Sequence, residues 1–369
     1  MINKGIVLAF LLYILSFYSF SGTRFVHNTL NEINAREGKI NLTLIRVWGG
    51  DEVDDENQFF RTPLDIKISN DNLVYILDTG NHRVQVFDLT GKFKRTIGRR
   101  GKGPGDLLRP TSFCLDKNNN VIVADTNNRR IQAFNFNGKY LYSYRLKGFI
   151  TEIRLTGDNH IAIFSYTDSF MSKKLVSIYD FKGNPVKRIG NHIDINRPFS
   201  QFGSVFFDCD KNGNIIISYY AVPLYQKYSY QGKSLLIVSY EVPFEAPKVG
   251  LNDSKEEPIV KGKRIHVSSG ISVNEEDRFF LITTTREKRE NEKFFLISDS
   301  PGDISIWPKR DWPEKTGRFR LMVFDKNGKI TAAKKMDVVC DKIYVNQNRL
   351  FIIDTYLGMK IYEYKMSFN

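Results

Sequence analysis

The stretch Asp125-Thr126-Asn127-Asn128-Arg129-Arg130-Ile131-Gln132-Ala133-Phe134 is a second copy of Asp78-Thr79-Gly80-Asn81-His82-Arg83-Val84-Gln85-Val86-Phe87, displaced by 47 residues. Each copy follows a short apolar run and leads to a turn glycine, Gly91 or Gly138. The ending, an aromatic residue followed four positions on by glycine, recurs at Gly183, Gly232 and Gly328, so successive gaps are 47, 45, 49 and 96 residues. A constant period of this size means that one supersecondary unit is repeated along the chain. The long last gap holds a single inner-strand pair, near Ile271 to Thr285, followed by an insertion over about 286–318. It therefore reads as one enlarged unit. A sixth, partial copy runs from Leu350 through Asp354-Thr355 to Tyr364.

Within a unit the pattern predicts four short strands. The run Thr111 to Leu115 meets Asp116-Lys117-Asn118-Asn119-Asn120, residues that tolerate the backbone angles of a tight turn. Val121 to Ala124 is apolar throughout, as expected of a strand buried on both faces. After the loop Asp125 to Arg130 the pattern alternates, Asn137-Gly138 marks a hairpin, and Tyr140 to Arg145 closes the unit. Four antiparallel strands per repeat of this length is the signature of a propeller blade. The last unit stops too early for a fourth strand, whereas a surplus strand, Asn41 to Gly49, precedes the first. The expectation is an all-β chain: a six-bladed β-propeller, four antiparallel strands per blade, closed by the N-terminal strand so that no long edge is exposed.

The two matching loops resemble the NHL repeat, and the connector Gly98 to Pro110, rich in glycine, is similar to the inter-blade segments of exported bacterial six-bladed propellers of that type. The resemblance covers roughly residues 40 to 366. The third to fifth units keep mainly the strand pattern and the glycine, and the sixth has Leu357-Gly358-Met359-Lys360 where Asn-x-Arg is expected. It implies an architecture more than an activity, because the fold hosts binding modules, lyases and hydrolases alike.

Composition agrees with a folded sheet protein: 41% hydrophobic, 26% charged, 28 Phe and 18 Tyr among 369 residues. The net charge of +13 favours anionic partners. A basic start, an apolar run from Gly5 to Phe20, and small residues after it describe an export signal over 1–21. The alternative is an uncleaved N-terminal anchor, although at about 1.5 Å rise per residue the run reaches only ~24 Å. Residues 22–39 read as a linker and 40–369 as the propeller. Cys114 and Cys209 read as small strand residues, buried as free thiols, with one disulfide and a leftover thiol as the alternative.

Candidate sites follow from the repeats. Asp78 with Arg83, and Asp125 with Arg130, stand at the two ends of one turn, where a carboxylate and a guanidinium can pin it; they read as structural. His82 and Arg129 occupy the same loops and are candidate binding residues. The enlarged unit adds Trp307, Lys309, Arg310 and Trp312, two indoles flanking a basic pair, suited to stacking and cation–π recognition. The 5 histidines, His27, His82, His160, His192 and His266, show no metal-type spacing, so neither a metal nor a cofactor is expected, and no catalytic residue is assigned. Gly98 to Gly105 lacks the Gly-Lys-Ser/Thr ending of a phosphate loop. Asp116-x-Asn118-x-Asn120 lacks the glycine and distal glutamate of a calcium loop. The acidic stretch Asp51 to Glu56 could attract calcium but reads as a solvated linker.

The function expected is that of an exported propeller, periplasmic, cell-surface or secreted, which binds a protein, peptide or glycan ligand of anionic character without catalysis. The alternative is a lyase or hydrolase with its site at the central channel. Export argues against nucleic acid, and membrane contact is expected only through the N-terminal segment if it is retained.

Overall fold

A computed structural model describes residues 23–50, 56–165, 172, 174–193, 205–246, 248–251, 258–261, 267–285, 294–300, 303–308, 318–355 and 358–369. Each blade is one hydrogen-bonded sheet. The first contains Pro63–Ile68, Leu73–Asp78, Arg83–Asp88 and Phe93–Ile97; the second Ser112–Leu115, Val121–Asp125, Arg130–Phe134 and Tyr140–Arg145. The third contains Ile150–Leu155, Ile161–Ser165, Lys174–Tyr179 and Pro185–Asn191; the fourth Val205–Cys209, Ile215–Tyr219, Leu224–Tyr228 and Ser234–Tyr240. The fifth joins Ser268–Val273, Phe279–Thr284, Phe319–Phe324 and Ile330–Met336, and the sixth Lys342–Asn346, Arg349–Asp354 and Lys360–Phe368. The first strand of each blade touches the first strands of its two neighbours, and that of the sixth touches that of the first, so the ring closes around a channel.

Closure uses the surplus strand. Ile40–Gly49 pairs antiparallel with Lys360–Phe368, Leu42 opposite Met366 and Trp48 opposite Ile361, and supplies the sixth blade with its fourth strand. Burial follows position in the blade. Second strands such as Val121–Asp125 are buried along their whole length, because neighbouring blades cover both faces. Outer strands such as Tyr140–Arg145 alternate between half-buried and exposed. Six apolar clusters form the core, one at each junction between blades; Tyr75, Val84, Phe113 and Val123 belong to the first of them.

Strand direction defines two faces. The connectors between blades and the loops between second and third strands lie on one, the connector face. The turns between first and second, and between third and fourth, strands lie on the other, the turn face. The turn glycines Gly91, Gly138, Gly183, Gly232 and Gly328 all have positive φ, from 82° to 91°, which explains their recurrence. Asn72, Asn119, Asn159, Gly213, Asp277 and Gln347 hold the same left-handed conformation in the turns after the six first strands.

The stretch 22–39 is expected as a linker, but its described part, 23–39, is built into the ring. Arg24–Asn28 pairs in parallel with Ser234–Tyr240 as a fifth strand on the fourth blade. The helix Leu30–Ala35, started by a Thr29–Glu32 capping box, buries Ile33 completely in the core between the fourth and fifth blades. Gly38 then donates to the Ala333 carbonyl on the fifth blade (2.9 Å) before the closing strand begins. Local propensity gave no warning of this belt, because a six-residue helix is not stable alone and depends on the surface it meets.

The insertion leaves the fifth blade between Phe279–Thr284 and Phe319–Phe324 and carries a hairpin of its own, Phe294–Ser300 with Asp303–Pro308. A second hairpin, Lys248–Leu251 with Pro258–Lys261, stands between the fourth and fifth blades.

Candidate functional site: the connector face and the channel

The paired loops of the first two blades lie on the connector face, between the second and third strands. Arg83 Nε donates to Asp78 Oδ2 at 3.1 Å and Arg130 Nε to Asp125 Oδ2 at 2.7 Å. Asn81 and Asn128 donate to the same carboxylate oxygens. Each guanidinium also reaches carbonyls of the preceding connector: Arg83 that of Phe59, and Arg130 those of Lys102, Gly103 and Asp106. Both aspartates are fully buried. In the sixth blade, where Asn-x-Arg is replaced, the backbone N–H of Gly358 donates to Asp354 Oδ2 at 2.8 Å.

His82 and Arg129 occupy one structural slot. Each is left-handed, at φ 60° and 51°, immediately before a third strand, and Met359 fills that slot in the sixth blade at φ 48°. His82 Nδ1 accepts the backbone N–H of Arg109 at 2.9 Å, so the imidazole is neutral with its proton on Nε2. Burial pushes its pKa below the usual histidine value, and the nearby guanidiniums of Arg100, Arg109 and Arg61 push it further. Arg61, Arg100, Lys102 and Arg129 are exposed. Asp106, in the same connector, is engaged by Arg99 at 2.8 Å. The first two blades thus present a cationic crescent on the connector face.

The insertion leaves and rejoins the fifth blade on that face. Trp307 lies in the strand Asp303–Pro308. Its side chain, with Lys309, Arg310 and Trp312, lies outside the described residues, as do the segment 1–21, His266 and Asp51 to Asp55. Two of the other described histidines lie elsewhere in the fold. His160, with Asp158 and Tyr230, is on the turn face, and His27 contacts Ser239 on the outer strand of the fourth blade. Among the described residues no group of three or more His, Cys, Asp or Glu is placed to hold a metal ion.

The channel holds what sequence reasoning missed. At every junction a side chain on one first strand accepts a backbone N–H from the next. Asp65 accepts from Phe113 (3.4 Å), Ser112 from Ile153 (3.2 Å), Glu152 from Phe207 (3.3 Å). Asp208 accepts from Val273 (2.9 Å), Ser272 from Val345 (3.0 Å), and Tyr344 from Ile68 (3.3 Å), which returns to the first blade. Two cations complete this belt. Lys67 Nζ donates to Asp65 at 2.5 Å, and Arg154 reaches Glu152 at 2.6 Å, Asp208 at 3.3 Å and Asp65 at 3.6 Å. Burial alone would raise the Asp65 pKa, but Lys67, Arg154 and Lys342 outweigh it and hold the carboxyl well below the carboxylate range. Burial lowers the Lys67 pKa, Asp65 opposing it.

At the turn-face end the channel widens into a cavity of about 250 Å³. Lys67, Cys114, Arg154, Asp208, Cys209 and Tyr344 are among the residues that line it. Burial pushes the Cys114 thiol and the Tyr344 phenol each up to about 12 and the Cys209 thiol well above its ordinary value, so both sulfurs are protonated. The signal was present in the sequence: charged residues interrupt apolar first strands at Asp65-Ile66-Lys67, Glu152-Ile153-Arg154 and Asp208. Nothing local says that they face a common axis.

Residues 55–335 match the model of a family described as a domain of unknown function, DUF4934. A member of the DUF4221 family from Bacteroides vulgatus has a similar solved structure, with TM-score 0.62 and 11% identity over 89% of this chain and 99% of that one. So has a protein from Bacteroides fragilis named as an exported protein, with TM-score 0.59 and 14% identity over 94% and 99%. A protein of unknown function from Bacteroides thetaiotaomicron gives TM-score 0.52 and 12% identity over 89% and 76%. These likenesses establish the fold. Among curated sequences, "Protein brain tumor" of Drosophila melanogaster is 39% identical over 51 residues, which is 14% of this chain and 5% of that protein's length.

Proposed function

We propose, for a chain that belongs to the DUF4934 family of domains of unknown function, that it is an exported, non-catalytic binding propeller of the NHL-repeat type. Its ligand is a protein, peptide or glycan of anionic character, bound on the connector face. The observation that carries this reading is the cationic crescent: His82 among Arg61, Arg100 and Arg109, with exposed Lys102 and Arg129 beside it. Cations gathered on one surface raise the local concentration of an oppositely charged partner and speed its encounter, and Asp106 beside them is already engaged by Arg99. Among the described residues no hydrogen bond or ion pair engages the side chains of Arg61, Arg100 or Arg129, so these cations are available. The insertion of the fifth blade opens on the same face, and long insertions on a rigid scaffold are suited to recognition. A similar fold in a protein named as exported, and the apolar N-terminal run, support export. Among the described residues no helix is long and apolar enough to cross a membrane.

The test uses heparin and poly-L-glutamate as probes of a sulfated glycan and an acidic peptide. The combined variant Arg61→Glu, Arg100→Glu and Arg129→Glu is compared with Lys117→Glu, Lys182→Glu and Lys233→Glu, which changes the charge equally on the turn face. The reading expects at least about tenfold weaker binding for the first variant only. Equal losses in both would reduce the effect to net charge and refute it.

A further inference from the structure

The channel cavity lies on the opposite face from the cationic crescent and has a different chemistry. We infer that it is a binding site for a small neutral molecule dense in hydroxyl groups, a polyol of about monosaccharide size, seated against Lys67 and Tyr344.

Charge decides the first point. The charged side chains at the centre of the channel belt already have their counter-charges at contact distance: Lys67 with Asp65 at 2.5 Å, and Arg154 with Glu152 at 2.6 Å and Asp208 at 3.3 Å. Glu275, which also lines the cavity, is exposed on the turn between the first two strands of the fifth blade. A ligand carboxylate or phosphate would approach Asp65 and Asp208 together with Lys67, and a ligand ammonium would meet Lys67 and Arg154. Either would have to displace an existing pair, and in a buried site an uncompensated charge is strongly unfavourable.

Unused hydrogen-bonding capacity decides the second. An ammonium has three N–H donors. Lys67 places one on Asp65 Oδ1 and one on the Ile66 carbonyl at 3.0 Å, and the third has no acceptor among the described residues. The nitrogen stands 4.7 Å from the centre of the Tyr344 ring at the cavity wall. The Tyr344 oxygen accepts from Ile68 and from Asn346, and among the described residues its own proton has no acceptor. An apolar molecule would leave both donors unpaired, which a buried site penalises. A hydroxyl accepts from them without disturbing an ion pair, and its own O–H can donate a hydrogen bond to the side-chain amide oxygen of Asn346 or Gln347 at the cavity wall.

Size decides the third. A volume of about 250 Å³ is below the ~300–1,000 Å³ of a drug-sized site. It suits one ring rather than a chain of them.

Ligand-observed saturation-transfer NMR on the full propeller, followed by calorimetry, would test this. The probes are the methyl glycosides of glucose, galactose and mannose and myo-inositol, against glucuronate, glucosamine and cyclohexanol as anionic, cationic and apolar molecules of matched size. The inference expects at least one neutral polyol to bind at about 10 mM or below, with the charged and apolar analogues at least about tenfold weaker. Leu115→Phe, which fills the cavity without touching a charge, and Lys67→Met should each weaken that binding at least about tenfold. A melting curve identifies any variant that fails to fold, and Leu115→Phe then decides alone. No polyol bound at that concentration would leave a channel filled by water and overturn the inference. So would preference for glucuronate or glucosamine, or binding that survives Leu115→Phe. Because the crescent plays no part in this test, its outcome is independent of the connector-face reading.

Discussion

The indole N–H of Trp48 donates to Glu363 Oε2 at 3.0 Å, tying the closing strand to the strand that ends the chain. Both side chains are essentially buried, at 0% and 1% exposure. The indole ring meets Phe87 of the first blade at 5.3 Å, and Arg349 pairs with the other oxygen of Glu363. One residue thus joins the sixth blade to its N-terminal strand by a hydrogen bond and to the first blade by packing. Trp48→Phe should cost about 1–3 kcal/mol, the cost of leaving a buried acceptor short of a donor. Trp48→Ala should cost about 3–5 kcal/mol, because a cavity is added. Urea unfolding monitored by circular dichroism measures both; equal stability of the two variants would show that the hydrogen bond, not the packing, closes the ring.

The blade loops give a graded expectation. Arg83→Ala and Arg130→Ala should each lower stability by about 1–3 kcal/mol, through the partners left unsatisfied. The larger loss belongs to Arg130, which holds Asp125 and three connector carbonyls, whereas Arg83 holds Asp78 and one. Thermal melts unchanged in both variants would remove these residues from the structural role.

Asp65 predicts an acid response. Its folded pKa is depressed, so its contribution is present above the unfolded carboxylate value of about 3.9 and is lost as pH falls through and below it. The wild-type protein should lose urea stability steeply below about pH 4. Asp65→Asn should be less stable at neutral pH and show a shallower acid slope. An identical slope in the variant would assign the acid sensitivity elsewhere.

His82 predicts a smaller response. Its folded pKa is lowered, so the native state resists protonation and loses stability as pH falls through the unfolded histidine value of about 6.5. NMR titration of the imidazole should give a midpoint below that value, and Arg100→Gln should move it upward. A midpoint indifferent to Arg100 would mean that the crescent does not act on the ring.

The thiols should be silent. With Cys114 raised to about 12 and Cys209 and Cys340 also raised by burial, a disulfide reagent at pH 8 should label them slowly in the native protein. All 3 should react after denaturation. Rapid native labelling would show that the channel opens on the timescale of the assay.

The sequence alone determined the ring. The period, the turn glycines and the missing fourth strand of the last unit are local or pairwise features. Hairpin pairing is largely a matter between neighbours, so strand order, blade number and the partner of Trp48's strand could be read from spacing. The loops Asp78 to Arg83 and Asp125 to Arg130 were legible for the same reason, since each pin lies within one turn. Tertiary structure alone decided the rest. The belt of residues 24 to 38 takes its form from the edges of the fourth and fifth blades, surfaces absent until those blades exist. The channel belt joins Asp65, Ser112, Glu152, Asp208, Ser272 and Tyr344, one from each blade. Each is unremarkable within its own strand. They acquire meaning only when ring closure brings residues nearly three hundred positions apart into hydrogen-bonding distance, as for Ile68 and Tyr344, which are 276 apart.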